Sequence, residues 1–180
     1  MPRSINPHLL GWACVLSLLF LPALLGAPWT SADYLLAAAL LAMTGTAIEL
    51  GVWANGNRSY RAGAIVAAAT GLSLLWVNGA VGIFATEGDP RNLLFVGVTL
   101  FAAIGTAVGR GQAKAMVRTM RWTAIAQAAA SVIGWIDGAR FPDLAIIGTL
   151  VFCALWSVSA ALFARAAGQS AQSRIASSSI

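Results

Sequence analysis

Apolar residues run along this chain in long blocks interrupted by short polar breaks, and the blocks rather than any short motif set the expected architecture. Six stretches come close to the roughly 20 mostly apolar residues that a helix needs to cross a bilayer: about 9–28, 34–54, 62–84, 92–109, 120–136 and 143–164. The pattern predicts an all-α, polytopic transmembrane helical bundle of about six spans over residues 1–165. A flexible cytoplasmic tail is expected over 166–180, where the chain turns polar, Ser-rich and aperiodic. Pro22 is expected to kink the first span. That span has a basic start and a loose cleavage-like Leu25-Gly26-Ala27, but its apolar run is longer than a signal peptide's core and Pro28 follows directly. It is expected to be retained.

Composition sharpens the choice of solvent. With 59% hydrophobic and 9% charged residues among 180, against about 25% charged in soluble domains, the chain could not bury its apolar surface in water. The net charge of +5 does not imply nucleic acid, because the basic residues sit singly or in short groups at the ends of apolar blocks. Membrane lipids are the expected partners, together with a homo-oligomer or a larger membrane complex, and no nucleic acid.

Charge also predicts orientation. With the N-terminus in the cytoplasm, nine basic residues fall inside (Arg3, Arg58, Arg61, Arg110, Lys114, Arg118, Arg121, Arg165 and Arg174) and two outside (Arg91 and Arg140). Basic loops stay cytoplasmic, so both termini are expected there. Trp29, Tyr34, Trp53, Tyr60, Trp122 and Trp135 lie near span ends, where amphipathic rings prefer the headgroup level. Trp76 and Trp156 lie deeper and are expected to pack between helices. Pro28…Asp33, Asp89-Pro90 and Pro142-Asp143 precede returning helices. They are read either as a threefold hairpin repeat or, more simply, as helix starts that favour proline and a capping carboxylate.

Few residues carry candidate chemistry. Glu49 is the one acid inside an apolar span, and an ionisable group there is costly. It reads either as an ion pair with Arg58 or Arg61 or as a proton or cation handler. Asn78 falls at helical spacing with Gly71, Leu75 and Gly82. Gln127 does so with Ser131, Gly134 and Gly138, Thr149 with Cys153, Ser157 and Ala160, and Gly97 with Phe101, Gly105 and Gly109. Small residues at intervals of four let helices approach closely, so these stripes read as packing faces. The alternative is a polar path through Glu49, Asn78 and Gln127. Arg110, Lys114, Arg118 and Arg121 would share one helical face, either as topological anchors or as contacts to anionic lipid.

No catalytic, cofactor or metal site is expected, and the chain is not expected to be an enzyme. One histidine, His8, and two separated cysteines, Cys14 and Cys153, offer neither a triad nor a zinc or haem set. Glu87 and Asp89 read as a charged turn beside Arg91 rather than a calcium loop.

The stretch WVNGAVGIF followed by an acidic turn with proline and asparagine (Trp76–Asn92), together with Glu49, Tyr60-Arg61 and Gln127, resembles a group of uncharacterised bacterial multi-span membrane proteins. The resemblance covers about residues 45–130; Arg91 stands where that pattern has a small residue. It implies a bacterial inner-membrane protein and carries no activity with it. Two function classes follow: a non-catalytic membrane component, or a small carrier or channel.

Overall fold

In a computed structural model, which describes residues 7–80, 82–84, 88–136 and 143–178, the chain is all-helical, with no strand among the described residues. Those residues form six α-helices: α1 (Pro7–Leu24), α2 (Ser31–Ala54), α3 (Arg58–Ala80), α4 (Leu93–Val108), α5 (Ala113–Ile136) and α6 (Asp143–Ser178). A single 3-10 turn, Pro90–Asn92, leads into α4. Among the described residues, four segments are long and apolar enough to cross a membrane: 31–54, 58–80, 90–108 and 146–173. α1 is a shorter apolar helix, with Pro22 in its last turn, so the missing N–H of the proline falls close to where the helix ends.

The helices differ from the apolar blocks in instructive ways. α5 begins at Ala113, well before the block at 120, because Lys114, Arg118 and Arg121 are good helix formers that hydropathy does not count. α6 runs unbroken to Ser178, through the stretch read from sequence as a flexible tail. Alanine and glutamine propagate a helix already started, and the extension is anchored in part: Ala166 is buried, and Gln169 Oε1 accepts a 2.7 Å hydrogen bond from Asn57 Nδ2. Arg3, Glu87, Asp137, Gly138, Arg140 and Pro142 lie outside the described residues.

The chain divides into two compact units, residues 1–50 and 51–180. In the first, α1 and the greater part of α2 meet with Trp12 opposite Gly45: a Cβ at Gly45 would lie 3.0 Å from the indole edge. In the second, α3 packs on α4, α4 on α5, α5 on α6 and α6 back on α3, which closes a four-helix ring.

Two apolar clusters fill that ring. Toward the start of α3, Tyr60, Met116, Met120, Trp156 and Phe163 pack together, with Tyr60 and Phe163 edge to face at 5.0 Å. Toward its end, Leu74, Phe84, Phe95, Val98, Ala130 and Phe152 form the second cluster. Glycine sets the helix spacing in several places. A Cβ at Gly105 would meet Thr119 Cγ2 at 2.6 Å, one at Gly109 would meet Ala115 Cβ at 2.8 Å, and one at Gly63 would crowd Leu162 and Phe163 at 3.3 Å. Not every small residue of the sequence stripes serves this way, since Gly97 has nothing within 4 Å and Phe101 is exposed.

Candidate functional site

The link from α3 to α4 shows why Trp76–Asn92 has its composition. After Ala80 the helix ends, and Gly82 takes φ +69°, a left-handed conformation natural to glycine. The chain then folds inward so that Phe84 is fully buried against Phe95 and over Gly134. That turn leaves backbone donors inside the protein, and Asn92 satisfies them: its Oδ1 accepts from Ile83 N–H at 3.0 Å and Phe84 N–H at 2.9 Å. Asn78, in the last turn of α3, donates Nδ2–H to the Asn92 carbonyl at 3.1 Å. Two asparagines thus clasp the break between two helices, in a setting where an unpaired backbone group is expensive.

Asp89 caps the 3-10 turn through the Arg91 N–H (2.9 Å) and holds the Arg91 guanidinium as well. The Arg91 side chain, then its backbone N–H, hold the Asp89 carboxyl below the usual carboxylate range. A similar cap starts α2, where Thr30 and Asp33 exchange hydrogen bonds, with Thr30 N–H to Asp33 Oδ2 at 2.7 Å.

The interior of the four-helix unit is more polar than its apolar clusters suggest. Thr70, Thr123 and Ser131 are buried, but each hydroxyl returns to a carbonyl one turn back on its own helix. Ser159 donates to the Gly63 carbonyl at 2.9 Å, tying α6 to α3, and Ser131 Oγ lies 3.0 Å from Thr149 Oγ1, tying α5 to α6. Gln127 is different. It is 0% exposed, and neither Oε1 nor Nε2 has a hydrogen-bond partner; Asn78 Oδ1 and Trp156 Nε1 are likewise buried without one. Among the described residues of this unit, the buried polar side chains (Thr70, Asn78, Asn92, Thr123, Gln127, Ser131 and Ser159) are neutral.

Glu49 belongs to the other unit. Its Oε1 lies 2.9 Å from His8 Nδ1 and accepts the Trp12 indole N–H at 3.2 Å. Arg58 and Arg61, which the sequence offers as possible ion-pair partners, belong to the second unit; within the first, Glu49 meets His8 and Trp12, in the first and second turns of α1. Arg61 instead directs its Nε–H to the Asn55 carbonyl at 2.9 Å, and Arg58 is exposed at the first position of α3. Spacing held a clue that composition did not. His8 and Trp12 are four apart, as are Gly45 and Glu49, so antiparallel pairing of α1 with α2 brings both pairs together at once.

Of the sequence-derived polar path, Asn78 is half consumed by the interhelical clasp, Gln127 is buried and unpaired, and Glu49 lies in a separate unit. Tyr60, which the sequence places among the interfacial rings, is buried instead, and its hydroxyl donates to the Gly111 carbonyl, pinning the α4–α5 turn. In that turn Arg110 adopts φ 48° and Gly111 φ 65°. Arg110, Lys114, Arg118 and Arg121 are all exposed. No group of three or more His, Cys, Asp or Glu side chains comes together among the described residues. No family model, curated protein or solved structure matches the chain.

Proposed function

We propose that this protein is a non-catalytic integral component of a bacterial inner membrane that self-associates or serves a larger membrane complex. In this reading it crosses the bilayer six times, with α1 and α5 joining the four long apolar helices, and both termini face the cytoplasm. The orientation is supported by the charges of the four-helix unit: Arg58, Arg61, Arg110, Lys114, Arg118, Arg121 and Arg165 lie toward one end, and Asp89, Arg91 and Asp143 toward the other. The bacterial setting rests on the resemblance of residues 45–130 to multi-span bacterial proteins. The observation that carries the functional reading is how the helix faces are used. Gly63, Gly105, Gly109 and Gly134 admit neighbouring side chains so closely that a Cβ would crowd or collide with them, and Asn78, Ser131 and Ser159 bond from one segment to the next.

The test joins flux with association. Reconstituted vesicles should pass ions and small neutral solutes no faster than empty ones. Protein extracted gently from native membranes should run larger than a monomer. A monomer that retains nothing from the membrane overturns the reading. Tags on the two termini reporting opposite sides of the bilayer would overturn the topology.

One observation favours a second reading, a small carrier or channel: the unpaired amide of Gln127 in the middle of the four-helix unit. Among the described residues of that unit the buried side chains a permeant meets are neutral, whereas a proton- or cation-coupled route would draw on Glu49. Solute flux that is lost in Gln127→Leu would support this reading over the first. Proton-coupled uptake unchanged by Glu49→Gln would remove Glu49 from it.

A further inference from the structure

On a helix with 3.6 residues per turn, positions 114, 118, 121, 125, 132 and 136 fall on one narrow stripe of α5. The opposite side carries Met116, Met120, Thr123 and Gln127, all buried in the four-helix unit. The outward stripe changes character once along its length. Its first two turns present Lys114, Arg118 and Arg121, and beyond them it presents Ile125, Val132 and Ile136, every one exposed. Trp122 (59% exposed) stands at the change, where an indole marks the boundary between headgroups and hydrocarbon. No ion pair among the described residues engages these cations: those found are His8–Glu49 and Asp89–Arg91.

Arg110 adds a fourth cation under unusual conditions. It is the one non-glycine residue at positive φ among the described residues, and it sits between Gly109 and Gly111 in a turn fastened by Tyr60. Glycine at 110 would adopt this conformation freely, whereas a side chain there costs stability. The guanidinium is exposed beside the basic end of α5.

We propose that this stripe binds one anionic phospholipid, with Arg110, Lys114, Arg118 and Arg121 around the phosphate headgroup and an acyl chain along Ile125 and Val132. A free phosphate or a nucleic acid would use the cations but not the apolar continuation of the same face; a lipid uses both. The site rests on the membrane reading above but holds equally for a component and for a carrier.

Brominated lipids quench nearby tryptophans and provide the test. The full chain is placed in bilayers of phosphatidylcholine, and brominated phosphatidylglycerol or brominated phosphatidylcholine is titrated in. The anionic lipid should quench at lower mole fraction, and the difference should vanish in Trp122→Phe. Each cation near an anionic surface is worth about fivefold in affinity. The triple variant K114Q/R118Q/R121Q should therefore lose about a hundredfold and keep only the preference of about fivefold that Arg110 supplies. Arg110→Gly should weaken the preference about fivefold while raising the thermal midpoint, a split that a purely structural role for Arg110 would not produce. Equal quenching by the two lipids, or a preference that the triple variant or Trp122→Phe leaves undiminished, overturns the proposal. Displacement of the brominated lipid by millimolar inorganic phosphate would identify a free-anion site and overturn it too.

Discussion

The Asn78 side chain donates to the backbone carbonyl of Asn92, 14 residues further on, and the Asn92 side chain in turn accepts the N–H groups of Ile83 and Phe84. This exchange holds the end of α3 to the start of α4 without a continuous helix between them. It accounts for the asparagine at each end of the clasp by hydrogen-bond capacity: the amide of Asn92 serves as a two-fold acceptor, and that of Asn78 as a donor.

Removing the acceptor is therefore the harsher change. Asn92→Ala takes this acceptor from two buried N–H groups and should cost about 2–6 kcal/mol, at about 1–3 kcal/mol for each lost hydrogen bond. Asn78→Ala removes one bond and should cost about 1 kcal/mol. Thermal unfolding in detergent, followed by tryptophan fluorescence, measures both. The double variant should cost less than the sum, because the two residues share one network; strict additivity would mean that they act separately.

Gly134 and Phe84 make a second pair whose sizes are set against each other. A Cβ at Gly134 would overlap the Phe84 ring, which is fully buried and has little freedom to withdraw. Gly134→Ala should destabilise by about 1–3 kcal/mol. Phe84→Leu opens the space, so Gly134→Ala should cost much less in that background than in the native one. An equal penalty in both backgrounds would place the strain elsewhere.

Gln127 is expected to oppose stability. Its amide is fully buried without a partner, and a polar group in that state costs about 1–3 kcal/mol by mutational measures. Gln127→Met keeps the length and removes the polar atoms, so the unfolding midpoint should rise. A falling midpoint would mean that the amide is bonded in the membrane-embedded protein, and flux lost in the same variant would mean that its cost is met by function.

How much of this was legible beforehand depends on range. The apolar blocks at 34–54 and 143–164 locate α2 and most of α6 because hydropathy is a local property summed over a window. The fifth block starts later than α5 because the first two turns of the helix are amphipathic, although the spacing of Lys114, Arg118 and Arg121 already shows a helical face there; the extension of α6 is hidden because a polar stretch can still propagate a helix. The pairing of Glu49 with His8 and Trp12, and the clasp from Asn78 to Asn92, depend on the register between segments, which no window of sequence contains. Gln127 and Asn78 were visible as polar residues at helical spacing. Their hydrogen-bond state was not, because it depends on what three other helices present to them.

Asp89 gives a prediction in pH. Arg91 holds its carboxyl below the ordinary value of 3.8 through the side-chain hydrogen bond first and the backbone one second. A carboxyl depressed in the folded state stabilises it fully above its unfolded value and loses that contribution as the pH falls through the folded one. The wild type and Asp89→Asn should therefore differ by a constant amount from neutral pH down to about 5, with the wild type the more stable. Below about 4 the Asp89 contribution should shrink, and the two melting midpoints should converge as the carboxyl protonates. Midpoints measured across that range at fixed ionic strength check the sign. A gap that widens as the pH falls would mean that the neutral carboxyl, not the carboxylate, is the form the turn prefers.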